Sequence, residues 1–145
     1  MLRKINITNA GFLLLIQVNL LVFCHKSTEP IRLWMTAPPK VAKTAAVYGE
    51  IRNPYKTDVE IQTIVSNGYK TVDFHETSLD ESSGITRMRK LDYPILLKAS
   101  ETIELVRAGK HLMLYDKLDH SGKLDLKIQF SNGESQTVVV EEKEL

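Results

Sequence analysis

The sequence predicts an all-β domain, a sandwich or barrel of short strands. From Ile31 onward, runs of four to nine residues alternate apolar and polar side chains, the period of a half-buried strand. Clusters of Pro, Gly, Asn, Asp and Ser separate these runs. Nowhere in that region does a helical period persist.

Taken in order, Ile31–Thr36 is a first strand, stopped by Ala37-Pro38-Pro39 because proline cannot continue a ladder. Ala45–Arg52 follows, then a turn over Asn53-Pro54-Tyr55-Lys56. Asp58–Val65 alternates, with Val59, Ile61 and Val65 expected on one face. Ser66-Asn67-Gly68 reads as a hairpin-type turn into Tyr69–Thr77. A polar turn over Asp80–Gly84 leads to Ile85–Lys90, and Asp92-Tyr93-Pro94 to the short strands Ile95–Leu97 and Thr102–Val106. Arg107-Ala108-Gly109 turns into Lys110–Asp116. Lys123–Phe130 points Leu124, Leu126, Ile128 and Phe130 inward, and Ser131-Asn132-Gly133 turns into Glu134–Glu142.

With 145 residues the chain can build one domain with a substantial core. Its 43% hydrophobic and 26% charged content fits a folded domain rather than a disordered one. A formal net charge of +1 lacks the strong basic excess of a dedicated nucleic-acid binder. Residues 1–24 read as a secretory signal. Arg3 and Lys4 form a basic start, and the apolar run to Phe23 is interrupted by Gln17 and Asn19 and is short for a membrane span. Val22 and Cys24 suit a cleavage site; alternatively Cys24 is a lipidated first residue, although Phe23 fits that poorly, or the segment stays as an anchor. Each reading places a domain spanning 25–145 outside the cytoplasm, in the periplasm. Cys24 is the single cysteine, so the domain beyond it has neither an internal disulfide nor a thiolate metal site.

The chemistry-bearing stretch is Lys110–Tyr115. As a strand it sends Leu112 and Leu114 to one face and His111, Met113 and Tyr115 to the other. An imidazole and a thioether two residues apart on a non-core face suit a soft ion, above all Cu(I). His75 follows core-directed Phe74, and Met88 has Thr86 and Lys90 as same-face neighbours, so both are assigned to non-core faces. His75, Met88, His111 and Met113 together are a candidate Cu(I) donor set. Singly, His75 reads equally as an edge histidine and Met88 as a gap-filler. An exported domain favours thioethers, since thiolates oxidise to disulfides there. Zn²⁺ would call for more His, Cys or carboxylate ligands, and Ca²⁺ or Mg²⁺ for oxygens. Trp34 and Tyr48 read as packing residues, His120 as a solvated turn residue and His25 as an adventitious ligand. The carboxylates form no acid/base pair that would mark an enzyme.

These residues carry a resemblance. His75, Met88, and His111-Leu112-Met113 occur in the order of the copper-binding pattern of the periplasmic copper chaperones called PCuAC (DUF461-like). Phe74-His75-Glu76, Met88-Arg89, Pro94 and Gly109-Lys110-His111-Leu112-Met113-Leu114 match around it. Trp34, Ala37-Pro38-Pro39, Ala45-Ala46-Val47-Tyr48 and Ile51-Arg52-Asn53 match upstream, so the likeness spans residues 31–141. It implies a cupredoxin-like Greek-key β-sandwich and no enzymatic activity. It also implies delivery of Cu(I) for assembly of cytochrome c oxidase copper centres, with a Sco-type thioredoxin-like protein and cytochrome oxidase subunit II as partners. Two departures stand out. Thr77 occupies a position where family members often carry methionine, and extra residues separate His75 from Met88, a length assigned to the Asp80–Gly84 turn. A one-residue shift in register there would turn Met88 to the opposite face. A blue-copper carrier is excluded because the domain has no cysteine. The competing reading is an exported β-sandwich that binds a protein partner without metal.

Overall fold

The structure is a computed structural model and describes residues 30–144; the expected signal segment 1–24, with Cys24, and His25 after it lie outside the described residues. Ten strands follow one another: β1 (Ile31–Thr36), β2 (Ala45–Arg52), β3 (Val59–Ser66), β4 (Tyr69–Asp80), β5 (Ile85–Leu91), β6 (Ile95–Leu97), β7 (Thr102–Leu105), β8 (Lys110–Lys117), β9 (Asp125–Phe130) and β10 (Ser135–Lys143). There is no helix among the described residues. The strands join in the order β5-β4-β8-β2-β1-β10-β9-β3-β6, with β7 beside the second half of β2. This is the all-β sandwich that the alternation predicts.

The connections explain how a single ladder encloses a core. β1 pairs antiparallel with β2 and parallel with β10, so the first and last strands lie side by side and link the two layers. The β5-β4-β8-β2 layer and the β10-β9-β3-β6 layer then face each other. Phe74, Leu112, Leu114, Val47 and Ile51 from the first meet Ile61, Leu97, Leu126 and Ile128 from the second, all essentially without exposure. Burying each such side chain stabilises the fold by roughly 1.5–3 kcal/mol.

Three details depart from the sequence expectation. Ser66-Asn67-Gly68 does not close a hairpin, since β3 pairs with β6 and β9 while β4 pairs with β5 and β8. It carries the chain between layers. The Asn67 side chain fastens this crossing to the start of β9 by donating to Lys123 O (3.1 Å) and accepting from Asp125 N (2.9 Å). Secondly, Val65 does not share a face with Val59 and Ile61. The β3–β9 register slips between Ile61 and Thr63, one extra β3 residue reverses the phase, and Ile64 turns inward while Val65 is exposed. Thirdly, β4 runs on to Asp80, three residues beyond the expected end.

Buried Asn53 ties the end of β2 to the β6–β7 connection. Its Nδ2 lies within 3.0 Å of Thr57 O, Leu97 O and Lys98 O, and its Oδ1 accepts from Tyr55 N at 2.8 Å. Gly49 allows β1 and β2 to approach closely. At φ 131° it occupies backbone space closed to other residues, and a Cβ there would stand 2.0 Å from Arg32 O. Gly49→Ala is therefore expected to lower the unfolding free energy by about 1–3 kcal/mol from conformation alone, with the clash adding to it. A denaturant titration that finds the variant as stable as the parent would contradict this placement.

Candidate metal centre

Register, more than proximity in sequence, assembles the site. β4 and β8 are antiparallel, with His75 directly opposite His111, Asp73 opposite Met113 and Thr71 opposite Tyr115. Directly opposite residues share a face, so His75, His111, Met113 and Tyr115 project from one side of the sheet. On the other side Phe74 faces Leu112 and Val72 faces Leu114, all in the core. β5 adds Met88 opposite Thr77 and Lys90 opposite His75. The longer hairpin thus leaves Met88 on the His75 face. On β2, Ala46 lies opposite Met113.

The register groups three of the four candidates in adjoining positions. His75 and His111 form one cross-strand pair, with ring centroids 5.9 Å apart, and Met113 is one diagonal from His75. Met88 stands apart. It is diagonal to His75 on the far side, two strands and four residues from Met113, or roughly 10 Å across and 14 Å along the sheet at ordinary strand spacing and rise. It is also 55% exposed.

The two imidazoles are not solvated, although their face is not the core. His75 is 9% and His111 4% exposed. The reason is a row of aromatic rings laid over that face. Trp34 stacks at 5.1 Å on Tyr48, Tyr48 lies 6.3 Å from His111, and Tyr115 lies 6.2 Å from His75. Arg107 sits 5.9 Å over the Tyr48 ring. Trp34 and Tyr48 are packing residues as expected, but what they pack is the histidine face. Tyr48 escapes a strand-by-strand reading because its closeness to His111 depends on β2 lying beside β8.

Hydrogen bonding fixes which nitrogens are free. His111 Nδ1 lies 3.0 Å from Gly109 O. A carbonyl can only accept, so Nδ1 carries the proton and Nε2 keeps its lone pair. A carbonyl holding the rear nitrogen is the usual support for a metal-ligating histidine. Gly109 reaches this position through the tight β7–β8 turn, where Gly109 N donates to Val106 O and Val106 N to Lys110 O. His75 differs. Its Nε2 lies 3.4 Å from Tyr115 Oη, while its Nδ1 is buried with no hydrogen-bond partner. An orphaned buried nitrogen beside a second imidazole and a thioether fits a soft cation. Asp73, paired with Lys90 at 2.8 Å, is a carboxylate whose charge acts on His75. Among the described residues no three His, Cys, Asp or Glu side chains converge on one point. His120 lies on an exposed loop, with Nε2 3.1 Å from Lys123 O.

A family model for LpqE-like lipoproteins matches residues 31–141. The chain belongs to this LpqE-like family, the PCuAC family that its sequence resembles. Solved structures share the fold. The apo PCuAC domain from PmoF1 superposes with a TM-score of 0.60 at 19% identity, over 79% of this chain and 91% of that one. The copper-bound PCuAC domain from PmoF2 gives 0.60 at 16% identity, over 79% and 90%. The solution structure of CuI-DR1885 from Deinococcus radiodurans gives 0.55 at 17% identity, over 77% and 75%. The Rickettsia prowazekii (strain Madrid E) protein RP573 is 28% identical over 87 residues, 59% of this chain and 47% of that protein. The match thus spans about half of that relative.

Burial holds the His75 pKa below its ordinary 6.5, reinforced by His111 and Lys90 and partly opposed by Asp73. His75 therefore stays neutral in the folded protein where the unfolded chain takes up a proton. By linkage, stability is full above the unfolded value and declines as pH falls below about 6.5. Metal-free protein should melt at progressively lower temperature from about pH 7.5 to pH 5. The slope should flatten in His75→Gln. A parallel slope in that variant would show that His75 does not carry the effect.

Proposed function

We propose that the protein is an extracytoplasmic Cu(I) carrier, a metallochaperone rather than an enzyme. The observation that carries this reading is the His75–His111 cross-strand pair with Met113 beside it, two imidazoles and a thioether on one padded face with His75 Nδ1 buried and unpartnered. Membership of the PCuAC family supports it, as do two structural neighbours, the copper-bound PCuAC domain from PmoF2 and CuI-DR1885.

The donor set suits the cargo. Neutral imidazole and thioether bind Cu(I) without adding negative charge, and neither forms a disulfide in an oxidising compartment. His111 Nε2, His75 Nδ1 and Met113 Sδ make the inner donors. Met88 is an outer thioether on an exposed strand, placed to meet the ion as it enters or leaves. The aromatic rows keep water from the imidazoles, so release proceeds by exchange with incoming donors of an acceptor. The acceptor we assign is the copper-centre assembly of cytochrome c oxidase, through subunit II and a Sco-type thioredoxin-like protein. The compartment is the periplasm, which the secretory character of residues 1–24 supports.

The reading is tested by competing the protein against a calibrated Cu(I) chelator under reducing conditions. One equivalent should be retained. His111→Ala and Met113→Ala should lose it, whereas Met88→Ala should weaken retention by about ten-fold, equivalent to about 1.4 kcal/mol. Complete transfer to the chelator from the parent protein would remove the carrier function. Equal losses in Met88→Ala and Met113→Ala would contradict the division into inner and outer donors.

A further inference from the structure

The β4–β5 hairpin reaches beyond the sandwich. The β8 register against β4 ends at Lys110 opposite Glu76, and past it Gly109 O accepts from Thr77 N at 3.0 Å. Ser78–Asp80 and Ile85–Arg87 then continue as two strands alone. Among the described residues β5 ends the strand order and pairs with β4 only. Its side chains are exposed along nearly the whole strand, and the arm shows Leu79 (61%), Ile85 (51%) and Met88 (55%) to solvent.

The free edge can be assigned residue by residue. On an antiparallel strand, backbone groups point alternately to the two neighbours. Thr77 turns its N–H to the β8 side, so Glu76 and Ser78 turn theirs to β5, where they face Arg89 and Arg87. Arg87 and Arg89 thus bond inward. Thr86, Met88 and Lys90 present their N–H and C=O groups to the open side, and among the described residues no strand lies there.

We propose that this edge of β5 is a docking site that takes an acidic extended segment of a partner protein as an added strand. Exposed edges accept strands in this way, with backbone bonds giving affinity and side chains giving choice. Charge selects the occupant. β5 carries Arg87, Arg89 and Lys90 and no carboxylate. Arg89 and Lys90 already pair with Glu76 and Asp73, whereas Arg87 has no ion-pair partner among the described residues. Carboxylates at alternate positions of an incoming strand would face Arg87 and Arg89. A second copy of β5 would instead oppose these cations to one another, the device by which natural edges avoid self-pairing. Docking there places the partner's backbone against Met88, the exposed member of the donor set. The inference rests on the carrier reading only for its purpose, since docking is measured on metal-free protein.

The test uses the full metal-free chain, labelled with ¹⁵N. It is titrated with a capped heptapeptide alternating glutamate and threonine, and separately with the lysine-threonine counterpart. The acidic peptide should move the amides of Thr86, Met88 and Lys90, and the basic one should not. Arg87→Glu should weaken binding about ten-fold, in a salt-dependent manner. Thr86→Pro removes one outward N–H but no β4–β5 bond, and should weaken binding while leaving β4 amide shifts in place. The proposal is overturned if the acidic peptide leaves β5 unmoved, or if both peptides bind alike. It is also overturned if the peptide settles in the groove by Trp34, Glu104 and Arg107, or if the chain dimerises through β5. Copper retention without docking would remove this inference alone, and docking without copper retention would remove the carrier reading alone.

Discussion

The antiparallel register of β4 against β8 is the constraint on which the rest depends. It sets Phe74 against Leu112 on the core side, and the same step along the strands sets His75 against His111 on the other. Because strand periodicity is two, a slip of one residue would send the imidazoles into the core and the leucines to the surface. The hydrophobic effect that buries Val72, Phe74, Leu112 and Leu114 is therefore also what positions the histidines. Core packing and the placement of the two imidazoles therefore have a single cause here.

The second layer of control lies in what surrounds the imidazoles. A surface pair would take protons and water in place of a soft ion. The Trp34–Tyr48 stack and Tyr115 cover the pair, the Gly109 carbonyl fixes His111, and burial lowers the His75 pKa. These supports come from β1, β2, the β7–β8 turn and β8, and they meet only because β2 lies between β1 and β8.

This is why some features could be read from the chain and others could not. Alternation within one strand is local, so Leu112 and Leu114 against His111, Met113 and Tyr115 was legible at once. So were the breaks at Pro38-Pro39 and at Ser131-Asn132-Gly133. The bulge that turns Val65 outward was not legible, since it belongs to the pairing of β3 with β9 rather than to either sequence. Ser66-Asn67-Gly68 has hairpin composition, but which strands it joins is decided by partners far along the chain. The burial of His75 and His111 went unseen for the same reason, because the covering rings come from other strands. Met88 combines both cases. Its face follows from alternation, while its distance from Met113 follows from the β4–β5 register.

On the proposed reading, one sheet face presents two imidazoles and a thioether to Cu(I). X-ray absorption at the copper edge of the Cu(I)-loaded chain tests this directly. Coordination by imidazole nitrogen together with sulfur is expected, with loss of the sulfur signal in Met113→Ala. A shell of nitrogen and oxygen alone in the parent protein, or sulfur unchanged in Met113→Ala, would contradict it.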